Sequence, residues 1–163
     1  MYIVYGSSTR LQSQNNKWFY IDSEIDSLPR EEALSYLWDA KEKDVIYILA
    51  NAKSEIAVQF ALRIIKDNAH FLENVDDTLL VQLVSHYHPK VLESVLDIVE
   101  QRFQLVKPES ALLLALIKSN NERAQVLGFK WLTQYESQYF IELNFSEQLL
   151  LLGNDNVIIY FFR

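Results

Sequence analysis

The chain contains no cysteine. Disulfides, thiolate zinc sites and cysteine nucleophiles are excluded together, and the composition suits a reducing compartment. Glycine and proline number three each in 163 residues. Sandwiches and barrels spend such residues on frequent tight turns, so a mainly helical protein is expected. Gly6, Gly128 and Gly153 stand far apart and form no phosphate-cradling loop. Neither a G-x-S-x-G elbow nor an H-E-x-x-H pair occurs. No apolar run approaches the roughly 18 residues that span a bilayer; SALLLALIKS and QLLLLGNDNVIIYFF are both broken too early. The opening MYIVYGSSTR has no basic leader and reads as no secretory signal. A soluble cytoplasmic protein is expected.

Positive charge is also scarce. Fifteen Lys and Arg stand against 22 Asp and Glu, a net charge of −7. Such a surface repels nucleic-acid phosphates and anionic membranes and attracts basic partners. The acid is unevenly spread: residues 67–108 carry a net of −4, against −1 before them and −2 after. What is abundant is apolar. Half the residues are hydrophobic and 13% are aromatic, a folded chain of about one domain that buries roughly 70% of its unfolded surface.

Four stretches align: SEIAVQFALRII from Ser54, HPKVLESVLDIV from His88, NERAQVLGFKWL from Asn121 and NDNVIIYFFR from Asn154. They start 34, 33 and 33 residues apart. The fourth position reads Ala57, Val91, Ala124, Val157; the eighth Ala61, Val95, Gly128, Phe161; the ninth Leu62, Leu96, Phe129, Phe162. The tenth is always charged, as Arg63, Asp97, Lys130 and Arg163. Apolar residues at i, i+4 and i+5 followed by a charge describe one buried helix face. Small side chains at the fourth and eighth positions let a neighbouring helix come close. A shorter apolar helix precedes each stretch, with Leu49, Leu83, Leu116 and Leu149 in one column. The unit is a helix pair repeated at a solenoid period, and stacking is how each pair hides its apolar face.

With Pro89, Val91 and Leu96 in one repeat and Asp155, Val157 and Phe162 in another, the chain resembles the HEAT/armadillo class over about residues 44–163. That resemblance implies an all-α fold, a right-handed α-α superhelix of about four helix pairs whose second helices line a concave surface. It does not imply a function, since such repeats serve scaffolds, inhibitors, adaptors and a few enzymes. DNA glycosylases within that class grip DNA with a basic groove. This chain has no clustered Lys and Arg, and no nucleic-acid partner is expected.

VSHYHPKV holds two of the three histidines. His88 shares a column with Ser54, Asn121 and Asn154, residues that favour the N-cap, and Pro89 suits the first helical position. His86 falls at the end of the preceding helix, where an imidazole meets the last carbonyls. A metal site needs three or four converging ligands, and only His70, Asp76 and Asp77 offer themselves as companions. A structural turn is expected, with no metal and no cofactor.

The front end differs. YIVY and WFYI are β-favouring runs separated by GSSTRLQSQNNK, which predicts a small N-terminal β-hairpin covering the first helix pair. Tyr2, Tyr5, Trp18 and Tyr20 alternatively present an aromatic surface to a partner. Residues 1–26 are read as this cap and residues 27–163 as the helical repeats. A helix is predicted to open near Pro29, with Leu34, Leu37 and Trp38 as its apolar face. On the second repeat Glu93, Asp97 and Glu100 fall on one helix side, a solvated face or a cradle for a basic partner.

A non-catalytic protein-binding module is expected, with Glu93, Asp97, Glu100, Tyr2, Trp18 and Tyr20 as its contact residues. Charge and size favour a stoichiometric inhibitor of the immunity-protein kind that neutralises a basic target such as a nuclease toxin. The alternatives are the N-terminal fragment of a larger HEAT-like scaffold, since the apolar VIIYFFR carries no polar outer face, and a metal-dependent or DNA-repair enzyme. Oligomeric state is open.

Overall fold

The structure, a computed structural model, describes residues 11–14, 17–20, 30 and 32–161, the strand residues by backbone alone. Two short strands, β1 (Leu11–Gln14) and β2 (Lys17–Tyr20), pair antiparallel with Leu11 opposite Tyr20 and Gln14 opposite Lys17. Ten α-helices follow among the described residues: α1 (Ser35–Trp38), α2 (Glu42–Asn51), α3 (Glu55–Asp67), α4 (Asp77–Val84), α5 (Pro89–Arg102), α6 (Ser110–Lys118), α7 (Glu122–Gln134), α8 (Glu136–Phe140), α9 (Phe145–Leu151) and α10 (Asp155–Phe161). The chain divides into two compact units, residues 1–74 and 75–163, with the boundary between its first and second helix pairs.

In the first unit, β2 overlaps the expected WFYI strand, whereas β1 lies inside the stretch read as a loop. YIVY lies outside the described residues. The helix expected from Pro29 is corrected to the single turn α1. Leu34 sits before it in the left-handed region at φ 56°, and both Leu34 and Leu37 are exposed, so no apolar stripe forms. Trp38 alone turns inward, edge-on to Phe60 with ring centres 5.0 Å apart. The pair α2–α3 carries the core: Val45, Ile46 and Leu49 meet Val58, Phe60, Ala61, Ile64 and Ile65. A 3-10 turn over Ala69–Leu72 packs against both helices and adds Phe71 and Leu72.

Arg30 ties this unit's irregular chain together. Its guanidinium pairs with Glu32 and Asp39, donates 3.1 Å to the Ser35 carbonyl and lies 3.9 Å from Asp67. Asn68, at the end of α3, donates 2.8 Å to Asp39 and 3.0 Å to the Ile64 carbonyl. The Arg30 hydrogen bond holds the Asp39 carboxyl below the ordinary carboxylate range.

The second unit holds three helix pairs, α4–α5, α6–α7 and α9–α10. First helices pack in sequence, α4 on α6 and α6 on α9. Second helices meet through side chains, Phe103 just beyond α5 edge-on to Trp131 of α7 at 6.0 Å and Phe129 of α7 beside Tyr160 of α10 at 6.4 Å. Helices therefore pack against their chain neighbours as helical repeats do. The column Leu49, Leu83, Leu116 and Leu149 is fully buried in all four pairs. Val91, Ala124 and Val157 are buried too, as are Ala61, Val95 and Gly128; Ala57, Leu62 and Phe129 are half-buried. Phe162 and Arg163 lie outside the described residues.

Three of the four expected cap residues act as caps; Ser54, at the start of α3, makes no side-chain cap bond. His88 Nδ1 accepts from the Lys90 N–H at 3.2 Å, Asn121 Oδ1 from the Ala124 N–H at 3.0 Å and Asn154 Oδ1 from the Asn156 N–H at 2.9 Å. Each quiets an orphan donor at a helix start. Asn154 does more, for its amide also donates 3.0 Å to the Ile117 carbonyl and ties α10 to α6.

Between α5 and α6 the chain is stapled to α8. The Tyr139 hydroxyl donates to the Pro108 carbonyl at 2.7 Å, and its ring stacks on Phe145 at 5.2 Å. Lys107 pairs with Glu142 and lies 4.2 Å above the Tyr139 ring. Burial pushes the Tyr139 phenol well up, so it stays protonated and can donate.

Candidate functional site

The histidine pair is a pair of backbone acceptors. His86 Nδ1 accepts from the His88 N–H at 3.1 Å, and His88 Nδ1 accepts from the Lys90 N–H. One nitrogen of each ring is thus committed to shaping the turn between α4 and α5. The other residues weighed as ligands have partners of their own. Asp76 caps α4 by accepting 2.8 Å from the Leu79 N–H, Asp77 lies 3.3 Å from Arg102, and His70 belongs to the first unit, edge-on to Phe71. Among the described residues no group of three or more His, Asp or Glu is arranged to hold a metal ion. Beside the turn lies a groove of about 470 Å³ lined by His86, Tyr87, Leu92, Lys118 and Asn120.

The acidic stripe is on the second-helix face. Glu93 and Asp97 of α5 are exposed and Glu100 is half-buried. Asp97 and Glu100 are not bare charges: Arg123 of α7 pairs with Asp97 and lies 3.2 Å from Glu100, and Lys130 reaches to 3.9 Å of Glu100. The sequence spacing placed the three acids on one helix side but said nothing of the bases one repeat later, which face them across the α5–α7 seam.

Further along the same face is a groove of about 410 Å³ between α7 and α10. Phe129, Tyr160, Val126 and Ile159 line it together with Glu122 and Thr133. Val126 is 62% and Ile159 54% exposed, so two large apolar side chains face water here. Burial and a hydrogen bond to Glu136 push the Tyr160 phenol up. These residues were missed in the sequence, although a signal exists. Glu93, Val126 and Ile159 occupy one column at 33-residue spacing, and an outward position that changes from acid to Val to Ile marks a change in what that face meets.

Trp18 and Tyr20 lie on β2, opposite Ser13 and Leu11 in the strand register. Tyr2 lies outside the described residues. No described helix is long and apolar enough to cross a membrane. Compared with known proteins, the chain matches no family model, no curated sequence and no solved structure.

Proposed function

We propose that this chain is a non-catalytic protein-binding module, a HEAT-like right-handed superhelix of the cytoplasm, and that its partner is a basic protein. The observation that carries the reading is the α7–α10 groove, an exposed apolar slot next to acidic α5 in a chain of net charge −7. The groove supplies desolvated anchors and the surrounding acid steers a Lys/Arg-rich surface to it, the division of labour found in tight complexes. Glu93, Asp97 and Glu100 are the steering charges, Asp97 and Glu100 tempered by Arg123, and Val126 and Ile159 meet the partner's apolar anchor. A small acidic binder of this kind suits stoichiometric inhibition of an immunity type, with a nuclease toxin as the model target.

The test is affinity capture with the purified chain, followed by stoichiometry and salt titration. A basic protein retained one-to-one, released by salt and lost on Val126→Asp or Ile159→Asp supports the reading. An acidic partner, or one that both variants retain, overturns it.

A further inference from the structure

In the second unit the outward column Glu93, Val126 and Ile159 is exposed in every helix pair. Two of those pairs have a succeeding pair packed beside them, so exposure here is a property of the second-helix face, whether or not another pair follows. The α7–α10 groove lies on that face, and its lining mixes three kinds of group. Val126 and Ile159 are aliphatic, and Phe129 and Tyr160 are aromatic with ring centres 6.4 Å apart. Glu122 is the only charged residue among the described residues that line it. A second carboxylate is close by, since the Tyr160 hydroxyl donates to Glu136 at the start of α8.

The bases of α7 are engaged elsewhere. Arg123 pairs with Asp97 and Glu100, and Lys130 lies 3.9 Å from Glu100, all towards α5. Glu122 and Glu136 are exposed, and neither has an ion pair among the described residues. An aliphatic guest would fill this groove and leave both carboxylates without a counter-charge, and an acidic guest would be repelled. A long basic side chain suits all three kinds of group, because its methylene stem covers apolar surface while its head meets a ring face and a carboxylate. Of the two bases, arginine fits better. Its planar, weakly hydrated guanidinium stacks on aromatic rings and bonds a carboxylate in the same plane, which a compact, strongly hydrated ammonium does not. Resting on the protein-binding reading above, we infer that the α7–α10 groove takes an arginine side chain of the partner protein, its stem on Val126 and Ile159 and its guanidinium on the Phe129 and Tyr160 rings, paired with Glu122. The apolar part of the partner's anchor is then the arginine stem, and one side chain supplies both burial and charge.

Short blocked peptides that differ only in a central arginine, lysine, citrulline or norleucine test the inference when titrated into the isotope-labelled full chain. Backbone amide shifts both measure binding and place it. The arginine peptide is expected to saturate with shifts centred on Val126, Phe129 and Ile159. Citrulline and norleucine, which lack the charge, are expected to bind about tenfold more weakly, the scale of a partly desolvated cation–ring contact. Glu122→Gln should weaken the arginine peptide severalfold and leave norleucine unchanged, while Glu136→Gln has a smaller effect in the same direction. Circular dichroism checks that both variants are folded, and the peptide series on the wild type decides the matter without them. Norleucine bound as tightly as arginine overturns the inference but leaves an apolar groove for the protein-binding reading. Lysine bound as tightly as arginine, arginine shifts that fall elsewhere, or an arginine peptide with no saturable binding overturn it as well. The protein-binding reading fails by a different result, an arginine peptide bound as expected and no basic protein retained in affinity capture.

Discussion

Gly128 on α7 stands so close to Ile117 on α6 that a Cβ built there comes within 2.8 Å of Ile117 Cγ1 and 3.2 Å of the Ile117 backbone nitrogen. Two effects oppose each other at this site. Alanine for glycine inside a helix gains about 1 kcal/mol of propensity, while overpacking a close-packed contact costs about 1–3 kcal/mol. A backbone nitrogen cannot swing aside as a side chain can, so the clash wins. Gly128→Ala is expected to lower stability by roughly 1 kcal/mol, and Gly128→Leu by more. Urea unfolding reads the sign directly; a more stable alanine variant means that α6 and α7 are free to separate.

The cap column makes a graded prediction. Asn121→Ala removes the bond to the Ala124 N–H and is expected to cost about 1 kcal/mol, the ordinary worth of an N-cap. His88→Asn keeps an acceptor at the same place and is expected to be close to neutral, whereas His88→Ala behaves like Asn121→Ala. Asn154→Ser retains a capping oxygen but loses the donation to the Ile117 carbonyl, so it costs more than the cap rule alone allows. Melting temperatures of the four variants rank these effects, and equal losses for His88→Asn and His88→Ala mean that His88 does not act as a cap.

The helix pairs and their starts were legible because both are local. Leu83, Leu116 and Leu149 repeat at the period of the fold, and a cap residue lies within three positions of the N–H it satisfies. The brevity of α1 was not legible, because Leu34, Leu37 and Trp38 have helical spacing and what defeats the helix is a left-handed Leu34 beside the Arg30 cluster. Partners were hidden for the same reason. Glu100 and Arg123 are 23 residues apart and meet only once pairs pack. The exposure of Leu150 was beyond reach too, since its buried column neighbours Val84 and Ile117 are chemically alike.

Acid is expected to weaken the staple at α8. The hydrogen bond from Lys107 holds the Glu142 carboxyl below the ordinary value of 4.5. A group depressed on folding contributes stability that is fully present above its unfolded pKa and is lost as pH falls through the folded one. The stability difference between the wild type and Glu142→Gln should therefore be constant near neutrality, shrink below pH 4.5 and vanish once Glu142 is protonated. Urea titrations at a series of pH values measure it; a difference that persists in strong acid assigns the effect to packing instead of charge.

Arg123 separates stability from recognition. Its pairs with Asp97 and Glu100 are solvent-exposed, and exposed pairs contribute about 0.2–1 kcal/mol. Arg123→Ala is accordingly expected to leave unfolding almost unchanged, and a double-mutant cycle with Asp97→Ala should return a coupling in that range. On the second-helix face the same change removes the base that tempers Asp97 and Glu100, so the field towards a basic partner strengthens. Association of such a partner should then speed up severalfold at low salt, while the dissociation rate, set by the Val126 and Ile159 contacts, stays where it was. Glu93→Lys is the opposite change and should slow association. Stopped-flow measurements at two ionic strengths decide the matter: an association rate indifferent to both substitutions would mean that the acidic stripe of α5 does not face the partner.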